Sequence, residues 1–363
     1  MKKRIAFFTP ALSKYSESFI QAHITGLKGD IDVFHDGEMP LQKNGVVFNQ
    51  PGVWDYRLQK FIGKGKMTPH QLALSRMLRQ GKYQIAFVEY GTTAVRIFSI
   101  IQELRMPLIV HFHGFDISMK SVLDKNGDAY KEIFDYASLI IVVSREMEQK
   151  AIQLGCSFQK ILYNPCGANK LFSNVPRQEE ANVFVSVGRF VEKKGPLYTL
   201  MSFHLLINRG FNAQLYMIGE GPLLGVCMDY TKAHRLEKFV SFLGVKSAGD
   251  IAKLFAKSRC YVQHSITAES GDQEGTPVAI MEAMLAGLPI ISTEHGGIKD
   301  IVNENCGILV SERDVQAMSK AMEKVISDPN GFKLLGINAR KYILENHTLE
   351  IHLDRINTFI DSL

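Results

Sequence analysis

Short runs of Val, Ile, Leu and Phe recur along this chain, and most are followed by a segment whose apolar residues have helical spacing: RIAFF then 16–27, QIAFV then 92–104, LIVHF, and LIIVV then 144–154. A strand apolar along its whole length is buried on both faces, and a parallel neighbour is reached only through a crossover, usually a helix. The alternation therefore predicts βαβ units and an α/β fold. It pauses over NPCGANKLFSNVPRQEEAN, rich in Pro, Gly, Asn and charge, and resumes through VFVSV, QLYMI, CYVQH, PIIS and GILV. At 363 residues the chain exceeds what one core usually supports. Two doubly wound domains are expected, residues 1–168 and 169–345, facing each other across a cleft, with a helix at 346–363 packing back on the first. Ligands of such sheets bind beyond the carboxyl ends of the strands, so the site residues belong in those loops.

Composition narrows the setting. Hydrophobic content of 46% with 22% charged residues is that of a globular protein, and no apolar run approaches the roughly 18–20 residues of a membrane-spanning helix. The opening MKKRIAFFTPAL imitates a signal peptide, but Thr9 and Pro10 break it, and a first buried strand is the better reading. Cys156, Cys166, Cys227, Cys260 and Cys306 are odd in number and form no C-x-x-C pair, which argues against a disulfide framework or zinc site and for the cytoplasm. Residues 1–170 carry 22 Lys/Arg against 15 Asp/Glu, and the rest 20 against 22, so the first half is the one to meet something anionic. Within it, Arg57, Lys60, Phe61, Lys64 and Lys66 belong to a stretch, Arg57 to Lys82, with seven basic residues and no acid. That stretch is either a peripheral contact with an anionic membrane surface, at the inner face of the plasma membrane, or a solvated cationic face. No nucleic-acid-binding module is present.

In the second half, three strand-to-helix turns put Pro at the first helical position, where its missing N–H costs nothing: Gly195-Pro196, Gly221-Pro222 and Thr276-Pro277. Helix amino ends offer free N–H groups and partial positive charge, so several along one sheet edge suit a phosphate or carboxylate. Pro and Gly also simply punctuate turns. Arg189 follows VFVSV directly and Lys194 stands before Pro196, so a planar guanidinium and a mobile ammonium can meet one anion. The alternative is a solvated loop containing Lys193 and Lys194. GEGPLLG at 219–225 spaces its last Gly one residue too far for a dinucleotide fingerprint.

The segment GDQEGTPVAIMEAMLAGLPI, 271–290, predicts a short helix capped by Thr276, begun by Pro277 and ended by Gly287. Val278, Ile280, Met281, Met284 and Leu285 leave it no polar face, so burial on nearly every side is expected, with Glu282 inside. An unpaired buried carboxylate is costly, so Glu282 needs donors. Sugar hydroxyls supply them, as would a backbone N–H or a core Arg. Glu274 precedes the helix, and Glu282 lies five residues past Pro277, about 7–8 Å along its axis, so the two are too far apart to share a proton. Two ends of one extended ligand fit that separation.

With glutamates at 274 and 282, E-G-T-P-V-A-I-M-E-A-M resembles the E-x7-E motif of glycosyltransferase family 4. VGRFVEKKG is similar to that family's phosphate loop, MIGEGP to its second nucleotide turn, FLGVKSAGDI to the segment beside the nucleobase, and HFHGFDIS to the first-domain loop whose histidine meets the donor sugar. With SESFI and GDQEGTP added, the pattern looks like bacterial exopolysaccharide transferases of the colanic-acid or amylovoran type. The resemblance covers about residues 5–345.

It implies a GT-B fold of two Rossmann-like domains and a retaining, metal-independent transfer from a nucleotide-sugar to a saccharide acceptor, often lipid-linked, with no cofactor. By position, Arg189 and Lys194 would bind the diphosphate, Glu282 the ribose and Glu274 the donor sugar, which His113 would approach from the other domain. Gly188, Gly219, Glu220, Leu243, Val245, Gly275, Thr276 and Pro277 would complete the donor site, and Ser16, Glu17, Gly114 and Asp116 the first-domain loops. If the leaving phosphate takes the acceptor proton, stabilising that leaving group is the catalysis. Lys194→Ala is then expected to cut turnover by orders of magnitude with little change in folding. Two departures stand out: PALSKYSES replaces the family's Gly-Gly turn, and Lys299 has no assigned role. His111 and His113 lack a third metal ligand at sensible spacing, so a buried His111 is preferred, and the D-x-D of GDIDV opens an early strand and is set aside. A nucleotide-sugar epimerase, which would need further cleft carboxylates and release free sugar, and a noncatalytic sugar-nucleotide-binding subunit are the alternatives.

Overall fold

The computed structural model describes residues 2–12, 18–48, 67–178 and 182–363. By internal packing the chain divides into two compact units: Met1–Val143, Met147–Asn164 and Leu353–Leu363 form the first, Ser144–Glu146 and Pro165–His352 the second.

In the first unit, β1 (Arg4–Phe8), β2 (Asp30–His35), β3 (Gln42–Lys43), β4 (Val46–Val47), β5 (Ile85–Glu89), β6 (Leu108–Phe112), β7 (Leu139–Val142) and β8 (Ile161–Tyr163) make one sheet, ordered β4-β3-β2-β1-β5-β6-β7-β8. It is parallel except for the two short edge strands, where β2 pairs with β3 and β3 with β4 antiparallel. Every residue of β5, β6 and β7 is buried, as their unbroken apolar runs require of strands covered on both faces. Phe7 and Phe87 stack across the β1–β5 pairing with ring centroids 5.3 Å apart. The core also takes in Ile356 and Ile360, both fully buried. Lys3 Nζ donates to the Ile360 carbonyl at 2.5 Å, and Asn357 accepts from the Lys28 N–H at 2.6 Å. The final segment is thus an integral part of this unit.

In the second unit, β9 (Val183–Val187), β10 (Gln214–Ile218), β11 (Val240–Phe242), β12 (Cys260–Val262), β13 (Ile290–Thr293) and β14 (Gly307–Val310) form an all-parallel sheet ordered β11-β10-β9-β12-β13-β14. Counted within the unit this is 3-2-1-4-5-6, and the order reverses between β9 and β12. The crevice expected to take a ligand is therefore framed by the loops after Val187 and Val262.

The helix starts differ from one another. Pro196 opens Pro196–Asn208 as expected, with Gly195 as its cap. Gly195 has φ +50°, and a Cβ there would meet the His264 carbonyl at 1.8 Å, so only glycine fits. After Gly221-Pro222 the helix begins at Leu224, not at the proline. Pro277 is itself the cap of Val278–Leu285, with an extended ψ of 114°, rather than its first helical residue, and Thr276 does not cap it. The reason is visible in the chain just before: Gly275 is tied by its carbonyl to the Gly297 N–H at 2.8 Å, which holds this stretch extended. The far end follows expectation, Gly287 taking φ +81° with its N–H on Met284 and the Leu288 N–H on Ala283, a Schellman pair.

All five cysteines are free and buried. Among the described residues no helix is long and apolar enough to cross a membrane.

Candidate functional site

At the carboxyl edge of the second unit's sheet, three loops lie one against the next. The Gly188 N–H bonds the Ile218 carbonyl, the Phe190 N–H the Glu220 carbonyl, and the Gly219 N–H the Gly244 carbonyl, at 2.8–2.9 Å. Gly219 (φ +132°) approaches so closely that a Cβ would meet the Gly188 carbonyl at 2.1 Å. Gly188, Gly219, Glu220, Leu243 and Val245 are thus on neighbouring turns. A small pocket here is lined by Gly188, Arg189, Phe190, Lys194, Pro196 and Gln263. Arg189 is exposed and makes no ion pair or hydrogen bond through its side chain among the described residues.

Lys194 is engaged. Its ammonium meets Glu274 Oε2 at 2.8 Å, while Lys193 holds Asp272 Oδ1 at 2.9 Å and the Gln273 carbonyl at 3.2 Å. Two consecutive lysines are thereby clamped onto the loop that carries Glu274, and Lys193, only 9% exposed, is no solvated residue. Burial works against the Glu274 charge, but Lys194 and Lys193 outweigh it and hold the carboxyl below its ordinary range. Burial also lowers Lys194, with Lys193 and Arg189 adding repulsion and Glu274 opposing. Glu274 Oε1 is buried and without a hydrogen-bond partner among the described residues.

Glu282 is different again. Ile280, Met281, Ala283, Met284 and Leu285 of its helix are buried, but Val278, Ala279 and Glu282 are half-buried and share one face. The helix is therefore not covered all round: one strip, carrying the acid, stays accessible. Among the described residues no donor or cation meets the Glu282 carboxylate, and burial alone pushes it up to about 8. The buried Tyr261 hydroxyl, which donates to the Val187 carbonyl at 2.9 Å, feels both Glu274 and Glu282, placing the two acids in one neighbourhood.

In the first unit the sheet's carboxyl edge holds a cluster that sequence reasoning missed. Glu89, fully buried at the end of β5, meets His23 Nδ1 at 2.6 Å, His113 Nε2 at 2.5 Å and His111 Nδ1 at 3.5 Å. Burial raises the Glu89 carboxyl, but His23 and His113 more than offset this and bring it down to about 2. His111 is buried, and the partners absent at sequence spacing are supplied by folding, since His23 and Glu89 come in from other elements. The separations from His23 and His113 to Glu89 are those of hydrogen bonds, while His23, Glu89 and His111 place donor atoms close enough together to hold a metal ion. His113 stacks on Phe19 at 4.3 Å. Asp116, expected in a ligand-facing loop, is fully buried and turned to the backbone, accepting from the N–H groups of Gly91, His113 and Gly114 at 2.9–3.1 Å. It fixes the loop that Gly114 (φ +127°) bends.

Ser16 and Glu17 lie outside the described residues, as do Arg57, Lys60, Phe61, Lys64 and Lys66. Two further partners were also overlooked. His295 takes the Glu274 N–H on Nε2 at 3.0 Å and faces Glu312 through Nδ1 at 2.6 Å. The HGG run at 295–297 was the available signal, since paired glycines mark close backbone approach.

Residues 168–342 match the family model for glycosyl transferases group 1. The amylovoran biosynthesis glycosyltransferase AmsK of Erwinia amylovora is 32% identical over 364 residues, spanning 87% of this chain and 89% of AmsK. The putative colanic acid biosynthesis glycosyltransferase WcaL of Escherichia coli (strain K12) is 29% identical over 64% of this chain and 58% of its own. Among solved structures, Anabaena HepE in complex with UDP aligns with a TM-score of 0.78 at 17% identity, covering 99% of this chain and 100% of that one. The apo form of the lipopolysaccharide outer core galactosyltransferase WaaB aligns at 0.69 with 19% identity, covering 99% of each.

Proposed function

Because the chain belongs to the group 1 glycosyltransferases, family 4, and has the GT-B fold of two Rossmann-like domains, we propose that it moves a sugar from a nucleotide-sugar donor to a saccharide acceptor in bacterial surface polysaccharide synthesis. AmsK and WcaL, named for amylovoran and colanic acid biosynthesis, support that setting. Retention at the anomeric carbon and a lipid-linked acceptor are part of the proposal, as is activity without a metal. The second unit takes the donor and the first the acceptor.

One observation carries the donor assignment. Glu282 is a carboxylate without a hydrogen-bond or ion-pair partner among the described residues, on the open strip of an otherwise apolar helix. Ribose hydroxyls are donors of the right kind and would offset the cost of its charge. The diphosphate then goes to Arg189, which is unpaired among the described residues, and to Lys194, with the amino end of the Pro196–Asn208 helix behind them. Glu274 is left to the donor sugar. The turns at Gly188, Gly219, Glu220 and Leu243–Val245 flank the phosphate and base, and Gly275–Pro277 the sugar side.

The chemistry follows from charge. The acceptor hydroxyl oxygen attacks the anomeric carbon on the face the phosphate leaves, the C–O bond to the β-phosphate breaks, and the hydroxyl proton passes to the departing phosphate oxygen. Negative charge grows on that phosphate, and preset cations and N–H groups stabilise it more than the ground state. A thermal-shift screen of UDP, GDP and their sugars tests the reading, with UDP first because HepE binds it. A matching nucleotide at a hundredfold excess over its Kd should stabilise the protein by about 2.7 kcal/mol. No shift with any of them at millimolar concentration would overturn the assignment.

A further inference from the structure

The Glu274–Thr276 backbone is gripped by one short loop. His295 Nε2 accepts the Glu274 N–H at 3.0 Å. Gly296, at φ +47°, lies so close that a Cβ would meet the Glu274 carbonyl at 2.2 Å. Gly297 donates its N–H to the Gly275 carbonyl at 2.8 Å, and a Cβ there would meet that oxygen at 2.3 Å and Thr276 Oγ1 at 2.6 Å. Three consecutive residues therefore hold three consecutive residues.

The imidazole is fixed from behind. Because Nε2 accepts from an N–H, the ring proton is on Nδ1 and donates to Glu312 Oε1 at 2.6 Å. Glu312 is in turn held by the Thr267 N–H at 2.8 Å, the Thr267 hydroxyl at 3.1 Å and Arg313 at 3.4 Å. His295 is 1% exposed. Next to it His264 serves in the same way, its Nε2 taking the Arg313 N–H at 2.7 Å.

We propose that the loop His295–Gly297 is a clasp on the backbone of Glu274–Thr276, and that His295 is the positioning residue for the Glu274 carboxylate. This rests on the reading that Glu274 serves the donor sugar. The clasp accounts for how Glu274 can be held by Lys194 through one oxygen and still present the other in a fixed place: its main chain is anchored independently of its side chain.

The experiment compares His295→Gln, whose amide oxygen can take over from Nε2, with His295→Ala. Hydrogen exchange of the peptide containing Glu274–Thr276 is read in the free protein at about pH 8, each variant against wild type. Sugar transfer and binding of the bare nucleoside diphosphate are measured in parallel. The clasp predicts lost protection in His295→Ala and protection retained in His295→Gln. Transfer by His295→Ala should fall tenfold or more in kcat, with bare nucleotide affinity within about threefold of wild type. Transfer by His295→Gln should stay close to wild type. Wild-type protection in His295→Ala, an unchanged kcat in that variant, or nucleotide affinity falling in step with kcat would each overturn the proposal. If no nucleotide binds wild type, it is the donor-site reading that fails, and the exchange data judge the clasp on their own.

Discussion

Glu282→Gln separates the two roles of a carboxylate, as a burden on the fold and as a ligand for the donor. Burial raises this carboxyl from its ordinary 4.5 to about 8, and at ~1.36 kcal/mol per unit that bounds the cost of its charge at about 5 kcal/mol. The side chain keeps some contact with water on the open strip of its helix, so about 2–3 kcal/mol is the working figure. The unfolded chain releases the proton near 4.5 and the folded chain near 8, so the folded state binds more protons between these values. The penalty is therefore absent in strong acid, grows as pH rises through this window, and is complete above it. Gln keeps the shape without the charge. Above about pH 8 the variant should melt roughly 4–10 °C higher than wild type, and at about pH 5 within about 2 °C of it. Nucleotide binding should change in the opposite sense: losing charge-assisted bonds to the ribose is worth roughly 1.5–3 kcal/mol, or about 10- to 100-fold in Kd. Scanning calorimetry at the two pH values and titration calorimetry in buffers of different ionisation enthalpy measure both. Near pH ~7.5 wild type should release up to one proton per nucleotide, because the ribose needs the ionised form, and the variant none. A variant that is less stable at high pH, or that binds as tightly as wild type without the difference in proton release, would refute the reasoning.

Lys194→Ala removes the cation from a carboxylate only 7% exposed, so stability should drop by about 3–5 kcal/mol along with a loss of about 10²–10³ in kcat; calorimetry together with transfer kinetics, and partial recovery of both in Lys194→Arg, check this. Arg189→Gln should leave the melting curve within about 0.5 kcal/mol of wild type, since the side chain is exposed and unpaired, while raising donor KM; equal donor KM would count against its role. Glu89→Gln takes the charge from the centre of the three-histidine cluster. The carboxyl is depressed to about 2, so the stability it adds is present above its ordinary value and disappears as pH falls from about 4.5 to about 2. The variant should accordingly be destabilised at neutral pH and converge on wild type in acid, which urea unfolding at several pH values would show.

How much of this was legible beforehand depended on distance along the chain. Features set by neighbours in sequence came through: the strand runs, the start of one helix at Pro196, the end of another, Val278–Leu285, at Gly287, and Arg189 and Lys194 flanking one turn. Features set by residues far apart did not. Lys194 and Glu274 are separated by 80 positions, so Lys194→Ala was read as harmless to folding when it in fact strips a buried acid of its partner. The Glu89 cluster brings His23 and Glu89 from other elements to the His111–His113 pair, and no spacing rule reaches that far. The later start of Val278–Leu285 has the same origin, because Gly297 pins the chain before it. Glu282 was singled out from an otherwise apolar helix expected to be buried on nearly every side, but it was placed inside, whereas it lies with the apolar Val278 and Ala279 on the strip that stays open.

Completing the first unit with Leu353–Leu363 has a consequence for synthesis. On the ribosome, β1 to β8 emerge early but lack Ile356 and Ile360, so a greasy slot stays unfilled until Leu353–Leu363 has been made. The segment Pro165–His352 is by then fully made and can close first. The nascent protein would thus close in reverse order, and a chain cut short before Leu353 would leave the older half, not the newer, unsealed.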